Sequence, residues 1–283
     1  MSTATASPEP QGFLDKHHFL LRRLHSLTGI VPIGMFLMFH LFTNMQMAAK
    51  PLGMEDAFQH EVEWIHGTIP AMIFVEIFGL WLPIAFHAGL GILYTFTGKN
   101  NVKSYRYYGN VRYVAQRVTG IIALIFVFLH VATLRWGWDI FGWYTPFYVY
   151  GHTADGTEVP LSSASLALAL QGGLQQNLTL AILVSILYIL GAYSAVFHWA
   201  NGLWTSAITW GVTTSVQSMR RWGYVCAAVG VSLSIFTAFA LWGSWAYELS
   251  PAELEAMQIL IEGTDPALVE SATPVAEPAV YNP

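Results

Sequence analysis

The chain has one cysteine in 283 residues, Cys226. An intrachain disulfide is therefore excluded, and so is a metal or cluster site built on several cysteines. Charge is also scarce. Asp, Glu, Lys and Arg make up 10% of the residues, against about a quarter in soluble domains. Between Glu158 and Arg220 there is no such residue at all. What fills the chain is apolar: 54% of residues are hydrophobic. Crossing the hydrocarbon core of a membrane takes about 20 mostly apolar residues. Five segments qualify, at 27–48, 70–97, 118–137, 178–206 and 222–247. Pro32 and Pro83 fall inside two of them, where proline is tolerated. Residues 1–16 are polar and contain proline, and they do not read as a secretory signal. Cys226 lies in the fifth span and reads as packing.

The few basic residues are placed unevenly. Ten of the twelve fall on one side of the predicted spans: Lys16, Arg22, Arg23, Lys99, Lys103, Arg106, Arg112, Arg117, Arg220 and Arg221. Only Lys50 and Arg135 fall on the other. Basic residues mark the cytoplasmic ends of spans. The pattern predicts a membrane protein with its N-terminus inside and its C-terminus outside. It divides into a cytoplasmic segment, 1–25, a five-helix membrane domain, 26–248, and an acidic extracytoplasmic tail, 249–283. Residues 138–177 read as a long outer loop with interfacial aromatics. In the tail, "PAELEAMQILIEG" reads as one short surface helix and the remainder as disordered and solvated.

Of ten histidines, four lie well inside spans, one each in spans one to four: His40, His87, His130 and His198. An ionisable ring in hydrocarbon is costly without a partner. With about 1.5 Å of rise per residue, His40 and His130 lie roughly 10 Å below the outer ends of their helices. His87 and His198 lie roughly 24–30 Å along theirs, near the inner face. The four sort into an outer and an inner pair, and each pair joins two helices that run in the same direction. In an up-and-down four-helix bundle such helices are diagonal neighbours. Two histidines facing each other at one depth suit the axial positions of a haem iron. A lone intramembrane histidine also reads as a hydrogen-bonded core residue or a proton relay. Zinc fits poorly without cysteine, and a di-iron carboxylate site lacks its acids, since only Glu76 lies well inside a span.

Glycines accompany the histidines. Gly91 and Gly202 lie one turn from His87 and His198, and Gly29, Gly34 and Gly120 also remove bulk for a flat macrocycle. The same glycines also suit close helix packing. Spans one and three echo each other, with Thr-Gly-Ile followed by an apolar run that ends in His. Haem propionates are anions, and Arg23, His25, Ser26 and Arg117 are placed to receive those of the inner haem.

"FLLRRLHSLTGIVPIGMFLMFH", "LPIAFHAGLG", "QRVTGIIALIFVFLH" and "FHWANGLWTSAITWG" resemble the dihaem cytochrome b membrane anchors of bacterial succinate dehydrogenases and quinol:fumarate reductases. The single-subunit anchors of menaquinone-using, Bacillus-type enzymes are the nearest in pattern. The resemblance covers roughly residues 17–245. It implies an all-α integral membrane protein with five transmembrane helices, the first four forming an up-and-down bundle around two stacked b haems. His40 and His130 match the ligands of the outer haem, and His87 and His198 those of the inner one. It further implies a flavoprotein with covalent FAD and an iron–sulfur protein docked on the cytoplasmic face. Electrons would pass from the latter through the inner and outer haems to menaquinone, and no dicarboxylate chemistry would fall to this chain. The longer outer loop and acidic tail depart from the family pattern and suggest oligomer contacts. Quinone reduction takes up two protons. The outer-edge donors are His60, Glu61, Glu63, His66 and Glu76, with Glu76, His66 and Glu63 preferred. Two other classes remain: the cytochrome b subunit of another quinone-linked dehydrogenase or hydrogenase, and a transporter with a histidine relay.

Overall fold

The computed structural model describes residues 12–69, 72–99 and 102–263. The remainder of the predicted acidic tail, 264–283, lies outside the described residues. Among the described residues the elements are helices and one small hairpin. They are α1 Phe13–Ile30, α2 Pro32–Met45, α3 Ala57–Thr68, α4 Met72–Thr97 and α5 Tyr108–Leu134. There follow β1 Tyr150–His152 and β2 Glu158–Pro160, α6 Ser162–Gln171, α7 Leu178–Thr209, α8 Val216–Ala246 and α9 Pro251–Gly263.

Five helical stretches are long and apolar enough to cross a membrane, and each overlaps one of the five predicted spans: Lys16–Leu52, α4, α5, α7 and α8. Their large apolar side chains point outward in numbers no aqueous protein tolerates. Phe39, Phe78 and Phe96 are 68%, 64% and 80% exposed. The protein is an all-α integral membrane protein. The helices run past the apolar edges read from sequence: α1 begins at Phe13 and α5 at Tyr108. Helical hydrogen bonding does not stop where the hydrocarbon ends, and polar Arg22, Arg112 and Gln116 continue it.

The two span prolines act differently. Pro32 lacks an N–H, so the ladder breaks between α1 and α2, while Val31 and Met35 still bond to the carbonyls of Leu27 and Val31. Pro83 is preceded by a π-helical stretch, Val75–Trp81, whose C-cap N–H at Leu82 bonds to the Ile77 carbonyl five residues back. That wider turn moves the Gly79 carbonyl off the path of the Pro83 ring. Glu76 sits in this stretch.

The helices partition into two compact units. The first comprises residues up to Met38, Ala71–Ile121 and Ala195–Val231. Here side chains settle against glycines: the indole of Trp199 occupies the place a Gly34 Cβ would take, and a Gly230 Cβ would lie 3.1 Å from Ala200.

The second unit comprises Phe39–Pro70, Ile122–Ser194 and the chain from Ser232 onward. Residues 138–177, read from sequence as a loop, fold here into the hairpin and α6. Register pairs Tyr150 with Pro160 and Gly151 with Val159. Gly151 is needed because a Cβ there would strike the Leu161 side chain. Every residue of α6 from Ser162 to Leu170 is buried. A helix built of Ser, Ala and Leu on all faces has no wet side, so it sits inside other elements. α9 packs on the same hairpin, with Ala256 and Met257 fully buried in one cluster with Leu161, Ala164 and Leu168. The short helix expected in the tail is formed, with one face exposed and the other packed into the fold. Its apolar face, unread in the sequence, needed a partner.

A polar lock holds this cap. The Tyr247 hydroxyl donates to Glu253 Oε1 at 2.6 Å and lies 3.2 Å from Asp56 Oδ2. Lys50 Nζ donates to Tyr247 and to Glu253. Asp56 caps α3 by accepting from the Gln59 N–H and also receives the Ser163 hydroxyl. Ser250 and Glu253 bond reciprocally across the first turn of α9, a capping box. Burial pushes the Glu253 carboxyl up, but hydrogen bonds from Tyr247 and Ser250 and the Lys50 charge outweigh it. The net position is below the usual carboxylate range. Burial, then bonding to Glu253, pushes the Tyr247 phenol far up, so it stays a donor. A depressed carboxyl contributes stability that is present above its unfolded value, about pH 4.3, and is lost as pH falls through the folded one. Glu253→Gln is therefore expected to cost about 1–3 kcal/mol. It should increase hydrogen exchange in α9 at pH 7 and remove most of the extra exchange that wild type gains on acidification below pH 4.

Candidate functional site: two facing imidazole pairs

The four span histidines are brought together in two pairs, as the depth argument expects. In the first unit, the ring centres of His87 and His198 are 6.1 Å apart. In the second, those of His40 and His130 are 5.9 Å apart. Two imidazole nitrogens each about 2 Å from one metal place their ring centres about 6 Å apart. Each pair is spaced so that its two rings could hold one metal ion between them.

The first pair is seated by one device used twice. The Nδ1–H of His87 donates to the His25 carbonyl at 2.8 Å, and that of His198 donates to the Gln116 carbonyl at 2.9 Å. A carbonyl only accepts, so both rings carry their proton on Nδ1 and their lone pair on Nε2; at His198 the Gln116 amide nitrogen lies 3.4 Å from that Nε2. Each accepting carbonyl lies four residues before a glycine, Gly29 or Gly120. A Cβ at Gly29 would stand 2.5 Å from His87 Cε1, and one at Gly120 would stand 2.7 Å from His198 Cε1. The Thr28 and Thr119 hydroxyls bond back to the same carbonyls at 3.0 and 3.4 Å. The Thr-Gly echo between spans one and three is thus a pair of imidazole seats. Gly91 and Gly202 contribute less: their Cβ positions reach only His25 at 3.4 Å and Gln116 at 3.5 Å.

Around this pair, His25 stacks on His87 with centres 3.9 Å apart and planes 10° apart. Ser26 accepts from the Trp210 indole at 2.8 Å. The Arg23 guanidinium lies over Phe19 and Trp210. Arg117 donates to the Tyr94 carbonyl and lies over Tyr113. Arg23 and Ser26 thus meet at Trp210, while His25 and Arg117 both meet Tyr94, the His25 ring 5.5 Å from the Tyr94 ring. Several buried polar atoms here have no protein partner: Arg23 Nε, His25 Nδ1, Tyr94 Oη and Trp199 Nε1. Such groups are expensive to leave unmet. Mostly donors beside paired imidazoles, they fit the carboxylates of a haem.

The second pair is held by side chains. His130 Nδ1 lies 3.0 Å from the Tyr188 hydroxyl. The Asn44 amide donates to the His40 carbonyl at 2.7 Å. Phe126 packs 5.6 Å from His130 and 5.1 Å from Tyr188, made possible by Gly191, whose Cβ would overlap the Phe126 ring. Trp143 packs on Tyr188, and Trp143 Nε1 and Thr145 Oγ1 are further buried atoms without partners.

Glu63 and His66 lie one turn apart on α3. Glu63 accepts from Gln59 at 2.8 Å, and the exposed His66 ring donates to the Val62 carbonyl. Glu76 is half-buried in the π-helical stretch. Sequence reasoning missed Gln116, Asn44, Tyr94 and Tyr188. Asn44 and Tyr94 could have been found, since they lie four and seven residues after a ligand histidine, on its own helix face. Tyr188 and Gln116 are on other helices from the rings they touch, and no spacing marks them.

Paired histidines inside apolar spans, edged among the described residues by buried polar atoms without hydrogen-bond partners, define the class: polytopic, all-helical membrane proteins with facing imidazole pairs. A comparison narrows it. The chain is 36% identical over 216 residues to the succinate dehydrogenase cytochrome b558 subunit of Bacillus subtilis (strain 168), covering 76% of this chain and 92% of that protein. The chain belongs to the family of succinate dehydrogenase cytochrome b558 subunits. No family model matches it, and no solved structure does.

Proposed function

We propose that the chain is the membrane anchor and electron-transfer subunit of a succinate dehydrogenase, linking an iron–sulfur partner to menaquinone through two b haems. The observation that carries this reading is the two imidazole pairs at 6.1 and 5.9 Å, taken with the relative's name. His87 and His198 would hold one haem, and His40 and His130 the other. Each haem would supply a one-electron iron couple. The protein's work would be to present Nε2 lone pairs, to receive propionates with the charges of Arg23 and Arg117 and the polar groups of His25 and Ser26, and to exclude water by packing. Gly29, Gly91, Gly120 and Gly202 leave space for ring and macrocycle. Glu76, His66 and Glu63 are the groups we assign to holding protons for the quinone. The asymmetry of basic residues supports a cytoplasmic N-terminus, with the flavoprotein and iron–sulfur subunits docked on that face.

A reduced-minus-oxidised spectrum of the purified chain, with haem quantified against protein, tests the reading. Two b-type haems per chain are expected, at least one of them reducible by succinate when the partner subunits are present. Protein produced with ample haem yet devoid of it would refute the assignment and leave the histidines to proton or ion movement.

A further inference from the structure

His198, in the first pair, is tied to a basic residue through two side-chain amides. Arg112 Nε donates to Asn201 Oδ1 at 2.8 Å. Asn201 Nδ2 donates to Gln116 Oε1 at 2.7 Å. Gln116 Nε2 donates to the His198 carbonyl at 3.0 Å. The backbone carbonyl of Gln116 in turn receives the His198 Nδ1–H. Every amide in the series is used at both ends, which fixes its orientation, and every side-chain N–H points the same way, from Arg112 toward His198. Aligned bonds polarise one another. Asn201 is buried, so its amide could not be left unmet without cost. At the head, the Arg112 guanidinium lies over Trp204 at 4.0 Å and over Tyr108 at 5.6 Å. His87 has no counterpart: its accepting carbonyl belongs to His25, whose own ring is stacked on it.

We propose that Arg112, Asn201 and Gln116 are positioning residues that lock the orientation of His198 and impose the Arg112 charge on the centre His198 ligates. The proposal rests on the haem reading above. A cation at the head of the chain favours the less positive, ferrous state of that centre. Removing it favours the ferric state. The other centre, ligated by His40 and His130, is the internal control.

The test is a redox titration of the whole complex followed by absorption, with the His87–His198 haem identified by its loss in His198→Leu. In Arg112→Gln, the ferrous-to-ferric ratio of that haem at fixed potential should fall about threefold to tenfold. Tenfold corresponds to about 59 mV for one electron. The ratio at the other haem should stay within twofold. Arg112→Lys, which keeps the charge, should recover most of the shift. Asn201→Leu should shift the same haem in the same direction, and adding Arg112→Gln to it should change little more, because the two act through one chain. An unchanged ratio in Arg112→Gln, or equal shifts at both haems, would overturn the proposal. If Asn201→Leu fails to assemble, Arg112→Gln at the solvent end decides alone. Wild-type complex without haem would count against the proposed function instead.

Discussion

Replacing His40 or His130 by leucine is expected to halve the haem content and to lower succinate-driven quinone reduction at least 100-fold. Succinate oxidation with a soluble artificial acceptor should remain within twofold of wild type. The split follows from geometry. These two rings face each other at 5.9 Å within one compact unit, and leucine offers no lone pair to a metal. Outer partners of a ligand are worth 10–100-fold in metal affinity, so loss of the ligand itself should exceed that. The dicarboxylate chemistry belongs to partner subunits in this reading and should not depend on either ring. Haem-to-protein ratio and the two activities, measured on one preparation, check the prediction. Equal loss of both activities would mean that the variant no longer assembles and would leave the electron path unsupported.

The second large effect concerns residues with no side chain. Gly29→Ala and Gly120→Ala should each displace an imidazole from its seat and remove the haem of the His87–His198 pair, leaving the other. The new methyl carbon would stand 2.5 or 2.7 Å from a ring carbon, well inside contact distance. Overpacking of this kind costs about 1–3 kcal/mol, and here the ring can yield only by giving up its bond to the carbonyl four residues before the glycine. Gly89→Ala, which meets nothing within 4 Å, is the control. It should keep both haems and gain slightly in helix propensity. A difference spectrum with both haem signals intact in Gly120→Ala would show that the ring relocates without cost.

These two expectations differ in how far sequence alone could reach. The histidine pairs follow from counting residues from the predicted membrane faces, because a helix converts sequence separation into depth. The facing of those pairs is the part that arithmetic can carry. The seats are partly legible: the Thr-Gly echo is visible in the chain, but that His87 and His198 enter from neighbouring helices depends on which faces meet, and single-sequence periodicity does not give that. The cap was illegible for another reason. α6 is short, small-residue and evenly apolar, so it has neither a span's length nor an amphipathic stripe. Lys50, Tyr247 and Glu253 look like ordinary surface residues until the fold brings them together. The π-helical stretch before Pro83 was foreshadowed only by the proline.

The lock at the cap joins residues that the ribosome makes at opposite ends of the chain: Lys50 and Glu253 are 203 positions apart. Lys50 follows the first span, and Glu253 follows the last. During synthesis the second unit must therefore stand without its fastening until all five spans have been inserted. A chain stopped after α8 would never leave that state.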